Sequence, residues 1–213
     1  MCAGRTHNGR GGWRRRLFAW LHARGLPAKY AAFVAEHRER LLGGLRGTVL
    51  EIGPGTGENL KYYTGVRWVG LEPNVHMHPY LRERAAELGM EVDLRAGVAE
   101  KLPLDDASVD AVVSTMVLCS VDDVGRVLSE IRRVLRPGGQ FVFIEHVAAP
   151  PHTPLRRTQG LIKAIWRFIG DNCHPDRDTG QAIRQAGFGL VDLLETRAPV
   201  ALASPHVIGV ATK

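Results

Sequence analysis

The stretch Val49-Leu50-Glu51-Ile52-Gly53-Pro54-Gly55-Thr56-Gly57 decides the fold. Its first residues predict a buried strand, and the glycines at every second position after it predict a tight loop that leads into a helix. Because glycine has no Cβ, such a loop lets the backbone approach a ligand closely. In open α/β sheets, ligands bind beyond the carboxyl ends of the strands, which is where this loop lies. The stretch therefore predicts a binding site at one end of a parallel sheet.

Strands and helices alternate along the chain after this stretch. β-branched runs predict seven strands, at 48–52, 67–71, 91–95, 110–115, 140–147, 190–196 and 207–211. Helical patterns fall at 27–43, 57–63, 76–89, 122–135, 154–169 and 178–186. Such alternation implies βαβ units with right-handed crossovers, and hence an α/β fold around a parallel sheet.

Length and charge limit the classes of protein that fit. A chain of 213 residues is the size of one ordinary domain. We predict a basic, partly disordered arm over 1–25 and a single domain over 26–213. The net charge of +6 arises from the first 35 residues, which contain basic side chains and no acidic ones. Because the remainder is nearly neutral, we expect no nucleic-acid partner.

The arm leaves several interpretations open. Residues 13–22 have a helical pattern with Leu17, Trp20 and Leu21 on one side. This segment is either a basic amphipathic helix in peripheral contact with anionic lipid or a helix that packs on the domain. A transit peptide also fits an Arg-rich start without acids. Three widely spaced cysteines indicate a reducing compartment. We therefore predict a cytoplasmic protein, with membrane-surface contact as an open alternative.

The acidic residues near the glycine loop indicate which ligand the site takes. The spacing G-x-G-x-G differs from the G-x-G-x-x-G of dinucleotide sites. Glu51, inside the preceding strand, would repel a phosphate and suits a ligand ammonium group. About twenty residues on, Glu72 ends the second strand, where a carboxylate can accept both hydroxyls of a ribose. An ammonium group and a ribose without a pyrophosphate describe S-adenosylmethionine.

At this point the chain resembles the class I S-adenosylmethionine-dependent methyltransferases with a methyltransferase type 11 domain. Besides the glycine loop, the resemblance includes Ala99-Glu100-Lys101-Leu102-Pro103-Leu104 and Val134-Leu135-Arg136-Pro137-Gly138-Gly139. It implies a Rossmann-like, doubly wound sheet of seven strands, mostly parallel with the last strand antiparallel, and helices on both faces. It also implies an enzyme that uses S-adenosylmethionine to methylate a small-molecule acceptor.

The resemblance also implies the cofactor residues. Gly53, Pro54, Gly55 and Gly57 would hold the methionine part, alongside Glu51. Glu72 and Pro73 would hold the ribose, Val98 and Ala99 would frame the adenine, and Thr115 and Met116 would line the floor. Many class I enzymes have aspartate where this chain has Val98. The adenine amine would then need a backbone carbonyl, water or the side chain of Glu100.

Three further segments resemble the branch of small-alkyl-thiol S-methyltransferases, the methyltransferase-like seven proteins. They are Leu118-Cys119-Ser120-Val121, Glu145-His146-Val147-Ala148-Ala149 and Pro205-His206-Val207-Ile208-Gly209. The loop Gly170-Asp171-Asn172-Cys173 is also similar, with Asn172 where the branch has glycine. The resemblance favours an alkyl thiol as the methyl acceptor.

A thiol acceptor must reach the thiolate form, because the thiol is a poor nucleophile. His146, just past the fifth strand, is the first candidate for a base or substrate-orienting group. Asp171 and His174 lie in a loop that can close over the site. Cys119 is interpreted as a small core residue. No metal is expected, since the chain has neither CxxC nor HxxxH spacing.

Other functions remain open on the sequence. Enzymes that methylate a quinone ring carbon or a phospholipid amine have sequences of the same general type. A cofactor-binding module without turnover is a further alternative. Nucleic-acid methylation is disfavoured, because the position of the Asn/Asp-Pro-Pro-aromatic motif reads Ser114-Thr115-Met116-Val117 here.

Overall fold

The sheet has seven strands in the order β3-β2-β1-β4-β5-β7-β6. The structure is a computed structural model that describes residues 12–213. Only β7 runs antiparallel to its neighbours, which confirms the predicted topology. The strands are β1 (Gly47–Ile52), β2 (Val66–Leu71), β3 (Asp93–Arg95), β4 (Val109–Thr115), β5 (Leu135–His146), β6 (Leu190–Arg197) and β7 (Pro205–Thr212).

Helices cover both faces of this sheet. They are α1 (Gly12–His22), α2 (Ala28–Leu42), α3 (His78–Glu87), α4 (Val124–Val134), α5 (Pro154–Ile169) and α6 (Thr179–Gln185). One apolar cluster joins the sheet to α4 and α6, through residues such as Ile131 and Ile183. A second cluster joins the opposite face to α2 and α3, through Leu42 and Leu81. This confirms the doubly wound α/β architecture.

Two predicted elements differ from the structure. The helix expected over 57–63 is a single 3-10 turn over Leu60–Tyr62. Gly57 before it has a φ of 84°, and the Asn59 and Tyr63 side chains are both held by Glu51, so a regular helix does not continue. The helix expected to reach 135 ends at Val134, and β5 starts at Leu135 rather than 140. The early start of β5 comes with a shift in its pairing to β4 between Val109 and Ala111.

The order of the strands positions the site. From β1 the chain winds outward through β2 to β3, and it then returns across β1 to begin β4 on the other side. The connections therefore leave β1 and β4 in opposite directions, which opens a crevice at their carboxyl ends. The glycine loop after β1 lies at this crevice.

Helix α1 packs on the domain at this same edge. The Nδ2 of Asn74 donates to the backbone oxygen of Arg15 at 3.1 Å, and the ring of His22 lies 3.3 Å from the Thr56 hydroxyl. Residues 13–22 thus form a helix that packs on the domain, while Trp13, Leu17, Trp20 and Leu21 on its outer side stay exposed. Contact of this outer side with lipid stays a prediction. The expected disorder of the first residues concerns 1–11, which lie outside the described residues. Within 12–213, no helix is both long and apolar enough to cross a bilayer.

Candidate active site

A cleft of about 1130 Å³ opens at the carboxyl ends of β1, β2 and β4. Its walls are the glycine loop, the loops after β2 and β4, helix α1 and the segment 170–172. Eleven predicted site residues line the cleft. They are Glu51, Gly53, Pro54, Gly55, Glu72, Pro73, Val98, Ala99, Thr115, Met116 and Asp171. Gly57, His146 and His174 do not line it.

The glycine loop needs its glycines for two different reasons. Gly53 and Gly55 have φ angles of 57° and 56°, in the left-handed region that favours glycine. A Cβ on Gly53 would also lie 2.5 Å from the side chain of Val117, in the turn after β4. Gly57 packs inward, since a Cβ there would lie 2.9 Å from Leu60. Gly57 thus shapes the loop, while Gly53 and Gly55 form the cleft wall.

Glu72 connects the glycine loop to the end of β2. One carboxylate oxygen accepts from the backbone N–H of Gly55 at 3.0 Å, and the other accepts from that of Asn74 at 2.7 Å. Each oxygen keeps a lone pair, so the carboxylate can still accept two ribose hydroxyls. Only 6% of Glu72 is exposed, and this burial raises its pKa to about 7. The charge of Glu72 therefore changes near neutral pH.

Glu51 is held mainly by the protein itself. Its carboxylate accepts from Asn59 at 2.9 Å, from Tyr63 at 2.9 Å and from Trp68 at 3.0 Å. Burial raises its pKa, against the effect of these three donors. Because three lone pairs are occupied, one remains for the ligand ammonium group that the sequence predicts.

Arg38 is a cleft residue that sequence reasoning missed. It belongs to the buried stripe of α2 at four-residue spacing, which is Tyr30, Val34, Arg38 and Leu42. Its side chain is 7% exposed, and its Nε atom has no hydrogen-bond partner among residues 12–213. A charged side chain within an apolar helical stripe is the signal that would have revealed it. A buried guanidinium that faces a cleft is suited to an anionic ligand group such as a carboxylate.

The two residues predicted to frame the adenine, Val98 and Ala99, are both apolar. Val98 is 50% exposed here, beside the nearly buried Ala99. The Glu100 carboxylate accepts from the backbone N–H of Asp122 at 2.8 Å and from that of Asp123 at 3.4 Å. Glu100 therefore fixes the segment before α4. Recognition of the adenine amine by backbone groups or water stays a prediction.

The floor of the cleft depends on a buried carboxylate. Met116 has a φ of 58°, an unusual backbone conformation for a residue with a long side chain. The Glu145 carboxylate accepts from the Ser114 hydroxyl and from the backbone N–H groups of Val117 and Leu118. Glu145 thus stabilises the strained turn that presents Thr115 and Met116 to the cleft.

The structure separates the three predicted catalytic residues. Asp171 lines the cleft and forms an ion pair with Arg15 of α1 at 3.7 Å. His174 lies outside the cleft, where burial and nearby cations lower its pKa to about 4, so its ring is neutral at neutral pH. His146 is 5% exposed, and its Nε2 lies 3.0 Å from the Sγ of Cys173.

Comparisons with known proteins agree with this geometry. Residues 50–143 match the methyltransferase domain family. The fold matches a chain of the complex between the Haloferax volcanii Trm112 methyltransferase activator and a methyltransferase. That match has a TM-score of 0.68 at 18% identity, and it covers 93% of this chain and 96% of the other. The fold and the site thus define an S-adenosylmethionine-dependent methyltransferase, an enzyme with S-adenosylmethionine as its cofactor.

Sequence relatives narrow the assignment. The chain is 38% identical over 172 residues to the thiol S-methyltransferase TMT1A of Homo sapiens, covering 78% of this chain and 70% of the relative. It therefore belongs to the methyltransferase family that includes this protein. A phosphatidylethanolamine N-methyltransferase of Cereibacter sphaeroides is 37% identical over 125 residues, covering 57% of this chain and 60% of the other.

The protonation state of Glu72 predicts how cofactor affinity depends on pH. Because its pKa is about 7, the carboxylate loses its charge as the pH falls through neutrality and then accepts ribose hydroxyls less well. We expect the calorimetric Kd for S-adenosylmethionine to rise between about pH 8 and about pH 6. Glu72→Gln should weaken binding by about 1–3 kcal/mol at the higher pH and flatten this dependence. Glu58→Gln removes another carboxylate of the cleft and is the control. This variant should keep the pH dependence of the wild type. An unchanged pH dependence in Glu72→Gln would contradict the assignment.

Arg38 predicts a ligand-selective loss of affinity. If the guanidinium binds the methionine carboxylate, Arg38→Met should weaken the binding of S-adenosylmethionine by about 1.5–3 kcal/mol. This is the range for a hydrogen bond to a charged group. Methylthioadenosine has no carboxylate, so its affinity should change little. Arg40→Met, on the exposed side of the same helix, is the matched control. Equal losses for both ligands would show that Arg38 only supports the fold.

Proposed function

We propose that this enzyme transfers the methyl group of S-adenosylmethionine to the sulfur of a small alkyl thiol. One observation carries the proposal: the similarity to a thiol S-methyltransferase covers 172 residues and so extends well beyond the domain match at 50–143. The similarity to the phospholipid amine enzyme covers less of the chain. A ubiquinone/menaquinone biosynthesis C-methyltransferase of Laribacter hongkongensis matches over 168 residues but at only 30% identity. The thiol is therefore preferred over the amine and the quinone carbon.

The part of the cleft near α1 supports a small, apolar acceptor. Phe18 and Leu26 face it from the N-terminal side, and Met116 and Val117 face it from the turn after β4. Apolar walls with a few polar groups are typical of small-molecule sites. This region would also exclude water around the sulfonium, which is a good electrophile once aligned with its acceptor.

Charged groups at the same end support activation of a thiol. Arg14, Arg15 and Arg167 line the cleft, and such a positive environment favours a thiolate over a thiol. Of the three predicted catalytic residues, we propose Asp171 as the group that accepts the thiol proton. The sulfur then attacks the methyl carbon, the bond from that carbon to the sulfonium breaks, and S-adenosylhomocysteine and the methyl thioether leave. Asp171 passes its proton to water.

A turnover screen tests the acceptor class. The wild-type enzyme with methyl-labelled S-adenosylmethionine would be offered a small alkyl thiol, a demethylated quinone and phosphatidylethanolamine vesicles. We expect label in the thioether, and less transfer by Glu72→Ala at cofactor concentrations that just saturate the wild type. Transfer to the quinone or the amine, but not to any thiol, would refute the proposal. Cofactor binding without transfer to any acceptor would favour the non-catalytic alternative.

Asp171→Asn tests the proton acceptor. Asn tolerates the φ of 46° at this position, so the backbone should be retained. We expect kcat for an alkyl thiol to fall by about 10²-fold, as for loss of a general base, with little change in KM for the cofactor. The defect should shrink for acidic aryl thiols, which ionise unaided. Asp176→Asn changes an acid outside the cleft and is the control. An equal defect for alkyl and aryl thiols would exclude this role.

We further propose that the enzyme is cytoplasmic and binds membranes peripherally. Exposed apolar side chains lie on α1 and α5, two helices that also supply the cleft residues Arg14 and Arg167, and we refer to them as the α1–α5 face. They are Trp13, Leu17, Trp20, Leu21, Leu161, Ile165, Phe168 and Ile169. Arg14 stacks on the Phe168 ring at 3.7 Å, which joins the two helices. Aromatic and aliphatic side chains beside arginines suit the anionic surface of the cytoplasmic leaflet.

Co-sedimentation with vesicles tests this contact. We expect the protein to bind vesicles that contain phosphatidylserine, and to bind less as salt is raised or as the anionic lipid is removed. The double variant Leu161→Ser/Ile165→Ser should weaken binding and leave turnover of a water-soluble thiol unchanged. Leu190→Ser removes an exposed leucine from β6 and is the matched control. Equal binding by the double variant and the control would rule out the α1–α5 face.

A further inference from the structure

We propose that Cys119, His146 and Cys173 form a zinc site beside the cleft wall that contains Ser120 and Asn172. They come from the turn after β4, the last residue of β5 and the loop between α5 and α6. The two Sγ atoms and a ring nitrogen of His146 all lie within 4.8 Å of one another. Both cysteines are free thiols and both are buried.

The dimensions of this cluster match those of a zinc centre. Tetrahedral zinc binds sulfur at about 2.3 Å and imidazole nitrogen at about 2.0–2.1 Å, which places two sulfur ligands roughly 3.8 Å apart and sulfur and nitrogen roughly 3.5 Å apart. The Nε2 of His146 is already 3.0 Å from the Sγ of Cys173. Metal insertion would move this nitrogen and this sulfur apart by about 0.5 Å, and the upper limit of 4.8 Å keeps every pair of ligand atoms near the spacing that zinc requires.

The charges of the ligand set also favour zinc. When the ion binds, each thiol releases one proton to solvent, and two thiolates balance the two positive charges of the metal. The neutral imidazole adds no charge, so the bound cluster is neutral, as a buried site requires. Two soft sulfur ligands with one imidazole select zinc over magnesium or calcium. Three protein ligands leave one of the four positions to water.

Two neighbouring donors would stabilise the thiolates. The indole N–H of Trp166 donates to the Sγ of Cys173 at 3.2 Å, and the hydroxyl of Ser120 lies 3.5 Å from the Sγ of Cys119. Hydrogen bonds to ligand sulfurs are a regular feature of metal centres, where they orient the ligands and tune affinity. The cluster thus has ligands of the right type and supporting donors beside them.

The site would fasten one wall of the cleft. Cys119 is adjacent to the cleft residue Ser120, and Cys173 is adjacent to Asn172, which also lines the cleft. These segments are otherwise joined by hydrogen bonds, such as that from Asn172 to the Ser120 carbonyl at 2.8 Å. A metal bonded to both cysteines would fix the loop that carries Asp171 against the end of β4. The inference does not depend on the acceptor's being a thiol.

Metal analysis of the full chain tests the proposal. Protein equilibrated with zinc chloride under reducing conditions and then desalted should retain one zinc per chain. Protein loaded with cobalt(II) instead should show a sulfur-to-cobalt charge-transfer band and the visible bands of a tetrahedral ion. Removing zinc with a chelator should lower the Tm. Wild-type protein that retains no zinc and gives no cobalt charge-transfer band would overturn the proposal.

Variants identify the ligands. Cys119→Ser and Cys173→Ser should each weaken zinc binding by more than the roughly 10- to 100-fold typical of losing a ligand's hydrogen-bond partner. Trp166→Phe keeps an aromatic side chain but removes the N–H donor to Cys173, and it should show that smaller loss. Cys2→Ser changes the remaining cysteine of the chain and should bind zinc normally. Calorimetry with S-adenosylmethionine confirms that each variant is folded.

If a serine variant does not fold, the Cys2→Ser variant still tests the site. The intensity of its cobalt charge-transfer band gives the number of thiolates bound to the metal. Wild-type affinity in both serine variants, or an intensity of fewer than two thiolates, would exclude the site.

Discussion

Burial of carboxylates at one edge of the sheet is the constraint on which the cleft depends. Glu51 in β1, Glu72 just after β2 and Glu145 in β5 are all nearly inaccessible to solvent. Each of them accepts at least two hydrogen bonds from the surrounding loops and side chains. Glu72 holds the glycine loop, Glu145 holds the turn at Met116, and Glu51 holds Asn59, Tyr63 and Trp68. The polar groups that shape the cleft are therefore fixed before any ligand arrives.

This arrangement costs stability and gains preorganisation. Burial opposes ionisation of all three carboxylates, and their pKa values are raised despite the donors around them. A ligand that brings hydroxyls to Glu72 supplies hydrogen bonds that the protein alone does not provide. Binding of the cofactor should accordingly stabilise the fold, because the ligand binds the native state only. The cleft resembles other functional sites in which local stability is exchanged for geometry.

The sequence predicted the architecture because its signals are local. β-branched runs and helical patterns predicted the strands, the helices and a parallel sheet, and the glycine spacing predicted the binding loop. The resemblance to class I methyltransferases supplied the antiparallel last strand and most of the cofactor residues. The helix prediction was wrong at 57–63. There the Asn59 and Tyr63 side chains donate to Glu51, and the hydrogen bonds of a regular helix are lost. Arg38 was missed because its meaning depends on what α2 packs against. The cluster of Cys119, His146 and Cys173 was missed for the same reason, since its members come from three separate segments that only the folded sheet brings together.

The placement of α1 has a consequence for biosynthesis. This helix is the first described element to leave the ribosome, but its partners are made much later. Its contacts reach Thr56, Asn74, Phe168 and Asp171, so the last of them emerges only when most of the chain has been translated. Domains fold during synthesis from the N-terminal side, yet this helix must wait for its docking surface. Its exposed tryptophans and arginines remain available to chaperones or a membrane during that interval.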